Sequence, residues 1–409
     1  MDVPADQRKR HELPYPSCTG KILGCNPIGN FDFMTSRPRI AIIGAGMGGL
    51  VVAAALRLRG VDAHVYEQTE HFTRLGAGIQ MSPNAMRVLR GLGLEPAVCA
   101  IAFQPQTWEN REWDSGAIKY ELPLGQQAEA LYGAPYLQMH RADLHATLLS
   151  SVPDGMISRG RRLVDVMPSA DGVTLSFDNG ASETADLVIG ADGIHSRVRH
   201  RLLGSEAPVA SGRVAYRATF PASLLRRPIG GCVKWWGPDR HIVIYFVNAA
   251  RDELYFVTSL PDTDWVQESW SATGDIAVVR EAFKDFHDDV REVLRACPHV
   301  HRWAILERPP LDQWHGNGMV LIGDAAHPMT PYMAQGAAMA MEDAVILARA
   351  LSDFDDINDG LASFQATRQA RAAEVQAVSH ANSWMREATD PTWCYGYDAW
   401  TTPLPSQWP

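Results

Sequence analysis

Residues 38–67 read PRIAIIGAGMGGLVVAAALRLRGVDAHVYE and predict a strand, a glycine-rich turn, a helix and a second strand. Gly44, Gly46 and Gly49 form the pattern G-x-G-x-x-G directly after the apolar run IAII, and an alanine-rich helix follows them. Such glycines allow a tight turn, close approach of a pyrophosphate and close helix packing, while Glu67 is placed to accept from a ribose hydroxyl. The stretch therefore predicts a βαβ unit that binds a dinucleotide, and its acidic residue argues against a 2′-phosphate.

A second informative stretch, 319–343, reads MVLIGDAAHPMTPYMAQGAAMAMED. It predicts an apolar strand that ends at Gly323-Asp324, followed by a helix that opens with Gln335-Gly336. Asp324 at a strand end can accept from a ribityl hydroxyl, and the free N–H groups at the helix start favour an anionic reduced flavin ring. Taken alone, the stretch is also compatible with an ordinary strand–loop–helix corner.

A third stretch, ADLVIGADGIHSR at 185–197, predicts a strand that ends at Asp192-Gly193. A hairpin whose turn is Asn179-Gly180 precedes it. Together the motifs GAGMGG, ADGIHS and LIGDAAHP resemble those of the class A FAD-dependent aromatic hydroxylases, the family that includes 4-hydroxybenzoate and salicylate hydroxylases.

That resemblance covers about residues 38–400. It implies an α/β fold, with a Rossmann-type FAD-binding domain like that of 4-hydroxybenzoate hydroxylase, an inserted antiparallel β-sheet substrate domain and C-terminal helices. It implies FAD as cofactor and NADH or NADPH as co-substrate. FAD contacts are expected at Gly44, Gly46, Gly49, Glu67, Arg141, Asp192, Gly193, Gly323, Asp324, Gln335 and Gly336. For Arg141, which the resemblance places against the FAD phosphates at a helix start, the alternative is a solvated helix charge.

The expected organisation has five segments. They are 1–36, an N-terminal extension predicted to be disordered, with Met34 as a candidate natural start; 37–110, the FAD-binding βαβ part; 111–210, its continuation with the Asp-Gly motif; 211–305, the antiparallel-sheet substrate domain; and 306–409, which completes the FAD-binding part and adds C-terminal helices. Two helices are expected within 338–380.

The middle of the chain, from about 214 to 304, alternates with period two and predicts an antiparallel sheet that roofs the flavin. If 237–240 is a four-residue hairpin loop, one face of the hairpin carries polar residues and the other an apolar set. The first face pairs Trp236 with His241, Lys234 with Val243 and Cys232 with Tyr245, and the second carries Ile242, Ile244 and Phe246. The apolar face suits a core, so the polar face is expected to meet a cavity or solvent.

The polar face supplies the candidate catalytic residues. We predict that His241 and Tyr245 orient the substrate and take up its hydroxyl proton, with His327 contributing from the flavin side. Tyrosine is a weak base because its ordinary pKa is near 10, so a relay that ends at a histidine is expected. The alternative is that His241 and Tyr245 are ordinary surface residues. Substrate contacts are expected at Gln80, Cys232 and Met333.

Within the family, the segments RLGAGIQMSPN, HRADLHA, CVKWWGPDRHIVIYFV, AAHPMTPYMAQGA and DPTWCYGYD are similar to those of members that act on a hydroxylated pyridine carboxylic acid. This similarity implies hydroxylation with NAD(P)H and O2, loss of the carboxylate as CO2 and a dihydroxypyridine product. Gln80 departs from the histidine that such members tend to carry, which leaves benzene acids of the salicylate or hydroxybenzoate type open as substrates. An FAD-dependent oxidase that releases peroxide is a further alternative.

Composition limits the remaining possibilities. The chain has 409 residues, 46% apolar and 21% charged, enough for a sizeable core shared by two joined domains. A net charge of −10 without a long basic run argues against nucleic acid as a partner. No stretch reaches transmembrane length, and six scattered cysteines suggest reduced thiols, so a soluble cytoplasmic protein is expected, without a metal site and as a monomer or homodimer.

Overall fold

The apolar runs IAII at 40–43 and LVIG at 187–190 become neighbouring strands of one parallel sheet. Every residue of both runs is buried, because helices or other layers cover both faces of such a sheet. This explains why the runs are continuously apolar and do not alternate.

The computed structural model describes residues 38–74, 77–169, 171–262 and 272–406. The predicted N-terminal extension at 1–36 lies outside the described residues. Strands follow in chain order as β1 (Ile40–Ile43), β2 (Ala63–Tyr66), β3 (Gly78–Met81), β4 (Thr107–Glu112), β5 (Ile118–Pro123), β6 (Leu137–His140), β7 (Ile157–Ser158), β8 (Leu163–Ser169), β9 (Gly172–Phe177), β10 (Ser182–Ala185), β11 (Leu187–Gly190), β12 (Val209–Pro221), β13 (Cys232–Trp236), β14 (His241–Phe246), β15 (Glu253–Pro261), β16 (Thr273–Gly274), β17 (Val300–Glu307), β18 (His315–Gly316) and β19 (Met319–Leu321). The α-helices are α1 (Met47–Leu58), α2 (Pro83–Gly91), α3 (Glu95–Ile101), α4 (Gly125–Tyr132), α5 (Arg141–Ser150), α6 (Arg197–Leu203), α7 (Ile276–Ala282), α8 (Asp288–Ala296), α9 (Gly336–Asp353), α10 (Ile357–His380) and α11 (Thr392–Tyr395).

The first sheet has the strand order β18-β19-β11-β1-β2-β7. The pairs β1–β2, β1–β11 and β11–β19 are parallel, and α1 and α9 pack against each other beside this sheet. Each of the three nucleotide motifs follows one of the adjacent strands β1, β11 and β19, so the motifs meet at the carboxyl edge of the sheet. Ligands bind at this edge in open α/β sheets, and the predicted α/β fold is confirmed.

The second sheet has the order β16-β17-β12-β15-β14-β13-β4-β5. The predicted hairpin register is confirmed, because β13 and β14 pair Cys232 with Tyr245, Lys234 with Val243 and Trp236 with His241. On the opposite face, Ile242 and Ile244 belong to a separate core cluster that includes buried residues of α7 and α8. The apolar face is therefore a core face, as predicted.

This sheet extends beyond the segment 211–305 in both directions. The hairpin β4–β5 joins its edge through a parallel pairing of β4 with β13, although both strands lie near or inside the segment 111–210. The division of the chain into five segments stays a prediction. Strands of the second sheet come from more than one of these segments.

Two small sheets complete the architecture. One consists of β10-β9-β8, and its β9–β10 hairpin contains the predicted Asn179-Gly180 turn. The other pairs β3 with β6 antiparallel and places Gln80 opposite Gln138. The long helices α9 and α10 occupy the region where two helices were predicted.

The segment from α11 onward is fastened to the body through its backbone carbonyls. The Arg371 guanidinium donates to the carbonyls of Trp393 and Cys394 at 3.1 and 3.0 Å. Arg87 donates to the Gly396 carbonyl at 2.7 Å. These bonds hold Tyr395, which is buried, within the main core.

Within the described ranges, no helix combines the length and apolar character that a membrane crossing requires. The same part of the chain contains no group of three or more His, Cys, Asp or Glu side chains placed to hold a metal ion.

Candidate active site

The turn between β1 and α1 requires glycine at two positions, because a side chain there would collide with the backbone. Gly44 has a φ of +102°, and a Cβ there would lie 2.5 Å from the Ala191 carbonyl oxygen. A Cβ on Gly49 would lie 1.9 Å from the Gly44 carbonyl oxygen. The turn therefore brings α1 close to β1 and β11 as predicted, while Gly46 faces open space at the start of α1.

Glu67 and His145 brace the same turn. The Glu67 carboxylate accepts from the Ala45 and Thr69 backbone N–H groups, at 2.8 Å each. The ring Nε2 of His145 lies 2.8 Å from the Ala45 carbonyl oxygen. The Glu67 carboxylate therefore supports the turn. Its predicted contact with a ribose hydroxyl stays a prediction.

The Gly-Asp loop is held from behind by a buried ionic cluster. Asp343 accepts from the Gly323 N–H at 2.9 Å, from His327 at 2.5 Å and from Arg368 at 2.7 Å. Burial alone would raise the pKa of Asp343, but the charges and hydrogen bonds around it lower the pKa to about 2. His327 thus belongs to the support of the loop.

The start of α9 is similarly supported. Ala334 is left-handed, with a φ of +55°, and the helix begins two residues later at Gly336. The Gln335 side chain turns into the core, where it accepts from Asn84 at 3.0 Å and donates to Ser82 at 2.9 Å. Gln335 orients the helix start through these bonds.

Asp192 closes the turn before α6. Its Oδ2 accepts from the Arg197 N–H at 2.7 Å. Its other oxygen is buried and has no hydrogen-bond partner among the described residues, and burial raises the pKa of this carboxyl group. Gly193 beside it has a φ of +78° and open space where a side chain would be.

A cavity of about 390 Å³ lies between the carboxyl edge of the parallel sheet and the second sheet. The predicted residues that line it are Gly46, Gln80, Arg141, Gly193, Tyr245, Gly323, Asp324 and Gly336. The predicted residues outside its lining are Gly44, Gly49, Glu67, Asp192, Cys232, His241, His327, Met333 and Gln335. The structure therefore brings together residues from all three motifs and from the hairpin.

We call the side of this cavity against the parallel sheet its lower wall and the side against the second sheet its upper wall. The residues of the lower wall fit FAD. Helices α1 and α9 both begin at its wall, so their free N–H groups and positive dipole ends face it. Gly46 and Gly193 leave room there, since a Cβ on either would meet no atom within 4 Å. Arg141 begins α5 at the same wall, and burial lowers its pKa although Asp324 favours its charge. Anionic phosphates beside this arginine would restore the favourable balance.

Tyr245 faces the cavity from the second sheet. Its hydroxyl packs over Gly78, where an added Cβ would lie 2.6 Å from the hydroxyl oxygen. Burial raises its pKa well above the ordinary value, although a hydrogen bond with Gln80 lowers it in part. Tyr245 therefore keeps its proton at neutral pH.

Gln80 joins a cluster of uncharged groups at this end of the cavity. Its Oε1 accepts from the Tyr136 hydroxyl at 2.5 Å. Gln138 donates to the Cys232 sulfur at 2.9 Å, and burial raises the pKa of that thiol to about 12. Cys232 lies in the second layer behind the cavity.

His241 lies at the other end of the hairpin. It is buried, with its ring centre 5.3 Å from those of Trp236 and Tyr332. Burial, followed by the nearby Lys234 charge, lowers its pKa well below the ordinary value. Tyr245, four residues after His241, contacts Gln80. The predicted relay from Tyr245 to His241 therefore stays a prediction, and the predicted roles of His327 and Met333 stay predictions too.

Sequence reasoning missed residues on the neighbouring strands. Arg217, Tyr255 and Trp303 line the cavity, and the Arg217 guanidinium lies 4.4 Å from the Trp303 ring centre. Burial lowers the pKa of Arg217 to about 10. In the structure Tyr245 pairs with Tyr255, and Val257 pairs with both Val243 and Arg217, so the signal would have required the order of these strands. Extending the predicted register by two strands would have placed these side chains on the same face.

Comparison with known proteins gives consistent matches over most of the chain. Residues 37–379 match the family model described as "FAD binding domain". The chain is 44% identical over 377 residues to the 6-hydroxynicotinate 3-monooxygenase of Pseudomonas fluorescens, covering 91% of this chain and 98% of that protein. It is 36% identical to the 3-amino-4-hydroxybenzoate 2-monooxygenase of Streptomyces platensis, covering 89% of this chain and 97% of that protein.

Two solved structures have the same fold as this chain. HpxO of Klebsiella pneumoniae, in complex with FAD and uric acid, superposes with a TM-score of 0.78 at 25% identity, covering 88% of this chain and 92% of that one. A salicylate hydroxylase substrate complex gives a TM-score of 0.75 at 25% identity, covering 89% and 96%.

Proposed function

The chain belongs to the class A FAD-dependent aromatic hydroxylases, and on that premise we propose that it uses NAD(P)H and O2 to hydroxylate 6-hydroxynicotinate, with loss of CO2, to 2,5-dihydroxypyridine. The predicted family, enzyme class and FAD cofactor are confirmed. The choice of ring, the nicotinamide donor and the decarboxylation belong to the proposal.

The observation that carries the proposal is the composition of the cavity described above. Its lower wall consists of the three nucleotide motifs, and its upper wall consists of Tyr245, Tyr255 and Arg217. A small aromatic acid held under the sheet would thus lie directly beside the cofactor. Bound FAD supplies the electron transfer from NAD(P)H and the activation of O2.

The protein's own residues supply position and a dry environment. Arg217 is the proposed partner of the substrate carboxylate, since an anion beside a buried guanidinium favours its charged form. Tyr245 and Gln80 are proposed to bind a ring oxygen. Burial of these groups keeps water away from the reacting centre.

The test is a screen of hydroxylated pyridine and benzene carboxylic acids for stimulated NADH and NADPH oxidation. O2 uptake and product mass are recorded for each acid. We expect 6-hydroxynicotinate to give the highest kcat/KM of the acids tested. Its product should have gained oxygen and lost CO2. A benzene acid with the higher kcat/KM would overturn the substrate, while peroxide without ring hydroxylation would indicate an oxidase.

Benzene acids are the second candidate because Gln80 lines the cavity. The relatives at 36% and 34% identity are named for 3-amino-4-hydroxybenzoate and 3-hydroxybenzoate. A substrate of this type would place a benzene ring against the same neutral wall.

A further inference from the structure

The second sheet carries a buried lysine without an acidic partner. Lys234 on β13 is 2% exposed, and its Nζ atom lies 3.7 Å from the centre of the Trp236 ring. Within the described part of the chain, its amine forms neither a hydrogen bond nor an ion pair with a carboxylate. Burial of an ammonium group without a counter-charge is costly, so a partner for this charge has to be sought outside the chain.

The residue opposite Lys234 is a buried asparagine. β4 and β13 pair in parallel and set Asn110 directly opposite Lys234, so both side chains stand on the same face of the sheet. The Asn110 Oδ1 accepts from the indole N–H of Trp236 at 2.9 Å, which identifies the other end of the amide as its nitrogen. That nitrogen, Nδ2, is buried and has no hydrogen-bond partner among the described residues.

The indole of Trp236 brings these two donors together. The Lys234 amine lies over its face, and the Asn110 amide lies at its N–H edge. A second cation, the guanidinium of Arg386, lies 5.6 Å from the centre of the same ring. Arg386 is exposed and belongs to the segment after α10, so it forms the solvent side of this cluster.

The charged and titratable groups on the neighbouring strands do not compensate the lysine. Glu112 lies on the same face of β4, opposite Trp236, but it pairs with Lys119 at 2.6 Å. His241, opposite Trp236 on β14, is neutral at pH 7 because burial lowers its pKa well below the ordinary value. These neighbours therefore supply no free negative charge to Lys234.

We propose that Lys234, Asn110 and Arg386 form a binding site for a monovalent anion of halide size, such as chloride. A water molecule can accept from two donors but leaves the charge of Lys234 uncompensated, whereas an anion accepts from both and neutralises that charge. Asn110, Lys234 and Trp236 are at most 5% exposed, which limits the ligand to a small one. None of these residues lines the cavity described above, so this binding is independent of the substrate and of turnover.

Binding of an anion links this site to His241. After burial, the positive charge of Lys234 is the largest influence that lowers the pKa of His241. An anion beside Lys234 offsets that charge and raises the pKa of His241 toward its ordinary value. Protonation of His241 is therefore easier when the site is occupied.

The experiment measures the free energy of unfolding of the FAD-loaded enzyme at pH 6, in sodium chloride and in sodium gluconate of equal ionic strength. Gluconate is a carboxylate too large for the site. If chloride binds with a dissociation constant of about 10 mM, about 100 mM chloride should lower the unfolding equilibrium constant of the wild type about tenfold. At pH 9 this chloride effect should shrink, because Lys234 loses its proton above its pKa of about 7.

Variants assign the effect to the site. Lys234→Met should abolish the chloride effect, and it should be the more stable protein in gluconate, where the wild type buries an uncompensated charge. Arg386→Gln should weaken the chloride effect. The matched control is Lys284→Met, whose exposed lysine pairs with Glu281 at the surface, and it should keep the full effect.

A second measurement locates the anion directly. Crystals of the wild type are soaked in bromide, whose anomalous scattering reports its position. The expected peak lies between the Lys234 Nζ and the Asn110 Nδ2 atoms.

Three results would overturn the inference. One is equal stability of the wild type in chloride and in gluconate at pH 6. Another is a full chloride effect in Lys234→Met, because the anion then binds elsewhere. The third is a bromide-soaked crystal without a peak beside Lys234, and this result decides the case if a variant fails to fold.

Discussion

The two walls of the cavity recognise their ligands by different means. The lower wall uses backbone turns and helix starts, supported by ionised groups such as Asp343 and Arg368. The upper wall uses individual side chains, namely Tyr245 and Tyr255, whose pKa values are raised by burial, and the guanidinium of Arg217. A cofactor that is always the same can be held by the backbone, whereas choice among similar rings requires side chains that can change one at a time.

The largest loss of activity is expected when the Tyr245 hydroxyl is removed from the upper wall. Tyr245→Phe should slow the hydroxylation step by about 10²–10⁴-fold, the range for a positioned acid–base group, with FAD binding unchanged. Rapid-mixing kinetics and peroxide release measure the loss. His241→Ala should cost less, because His241 lies outside the cavity lining. An equal loss in both variants would show that His241 reaches the substrate.

Arg217 tests whether the upper wall also carries the charge that binds the acid. Arg217→Met should weaken binding of the substrate by about 10–100-fold, since a hydrogen bond to a charged group contributes about 1.5–3 kcal/mol. Flavin absorbance changes on titration measure the dissociation constant. The carboxamide analogue of the substrate is the control. If it loses as much affinity as the acid, Arg217 does not bind the carboxylate.

Asp324 is the corresponding test of the lower wall. Asp324→Ala should leave a folded protein that purifies largely colourless, because a carboxylate bond to a ribityl hydroxyl contributes about 1.5–3 kcal/mol. Flavin content after purification is the measurement, and Asp355→Ala, at an exposed site in the loop before α10, is the matched control. Full FAD occupancy in Asp324→Ala would refute the assignment.

Gln80 lines the cavity near Tyr245, and we do not expect it to affect reduction of the flavin. Gln80→His should change the relative kcat/KM among pyridine and benzene acids by more than about tenfold, an effect of 1.4 kcal/mol. An unchanged ranking of the acids would mean that the position is structural.

Lys234 gives the smallest expected effect, on stability. Burial, followed by the charge of Arg386, lowers the pKa of this amine to about 7 from an ordinary 10.5. The unfolded chain therefore binds more protons between these values, and the free energy of unfolding should rise as pH rises from about 7 to 10.5. Lys234→Met should add about 1 kcal/mol near pH 6 and flatten this dependence in urea unfolding. The exposed Lys284→Met is the control, and a loss of stability in Lys234→Met would contradict the prediction.

The difference between the walls also explains which site residues could be predicted from the sequence. Gly44, Gly49 and Asp324 stand in local motifs whose meaning depends only on near neighbours in the chain, so the nucleotide part was readable. Tyr245 was placed correctly because a hairpin register follows from a short loop. Arg217 and Tyr255 required the order of β12, β15 and β14, which no local pattern states.

His327 illustrates a second reason. Its position three residues after Asp324 indicated a role beside the flavin, which stays a prediction, whereas its 2.5 Å contact with Asp343 on α9 was not expected. Likewise, Tyr136 had no distinguishing neighbours in the sequence, and its hydrogen bond to Gln80 follows from the pairing of β3 with β6. Both contacts depend on how separate elements pack against each other, which no local pattern states.

The central place of β11 has a consequence for the order of folding. β11 separates β1 from β19, so the short hairpin of β18 and β19 can join the rest of the sheet only after the strand at 187–190 has paired with β1. Pairings between such distant segments form slowly, since a long loop must close before the contact is gained. The flavin site is therefore among the last parts to assemble, and recovery of flavin fluorescence quenching during refolding should lag behind the formation of helices.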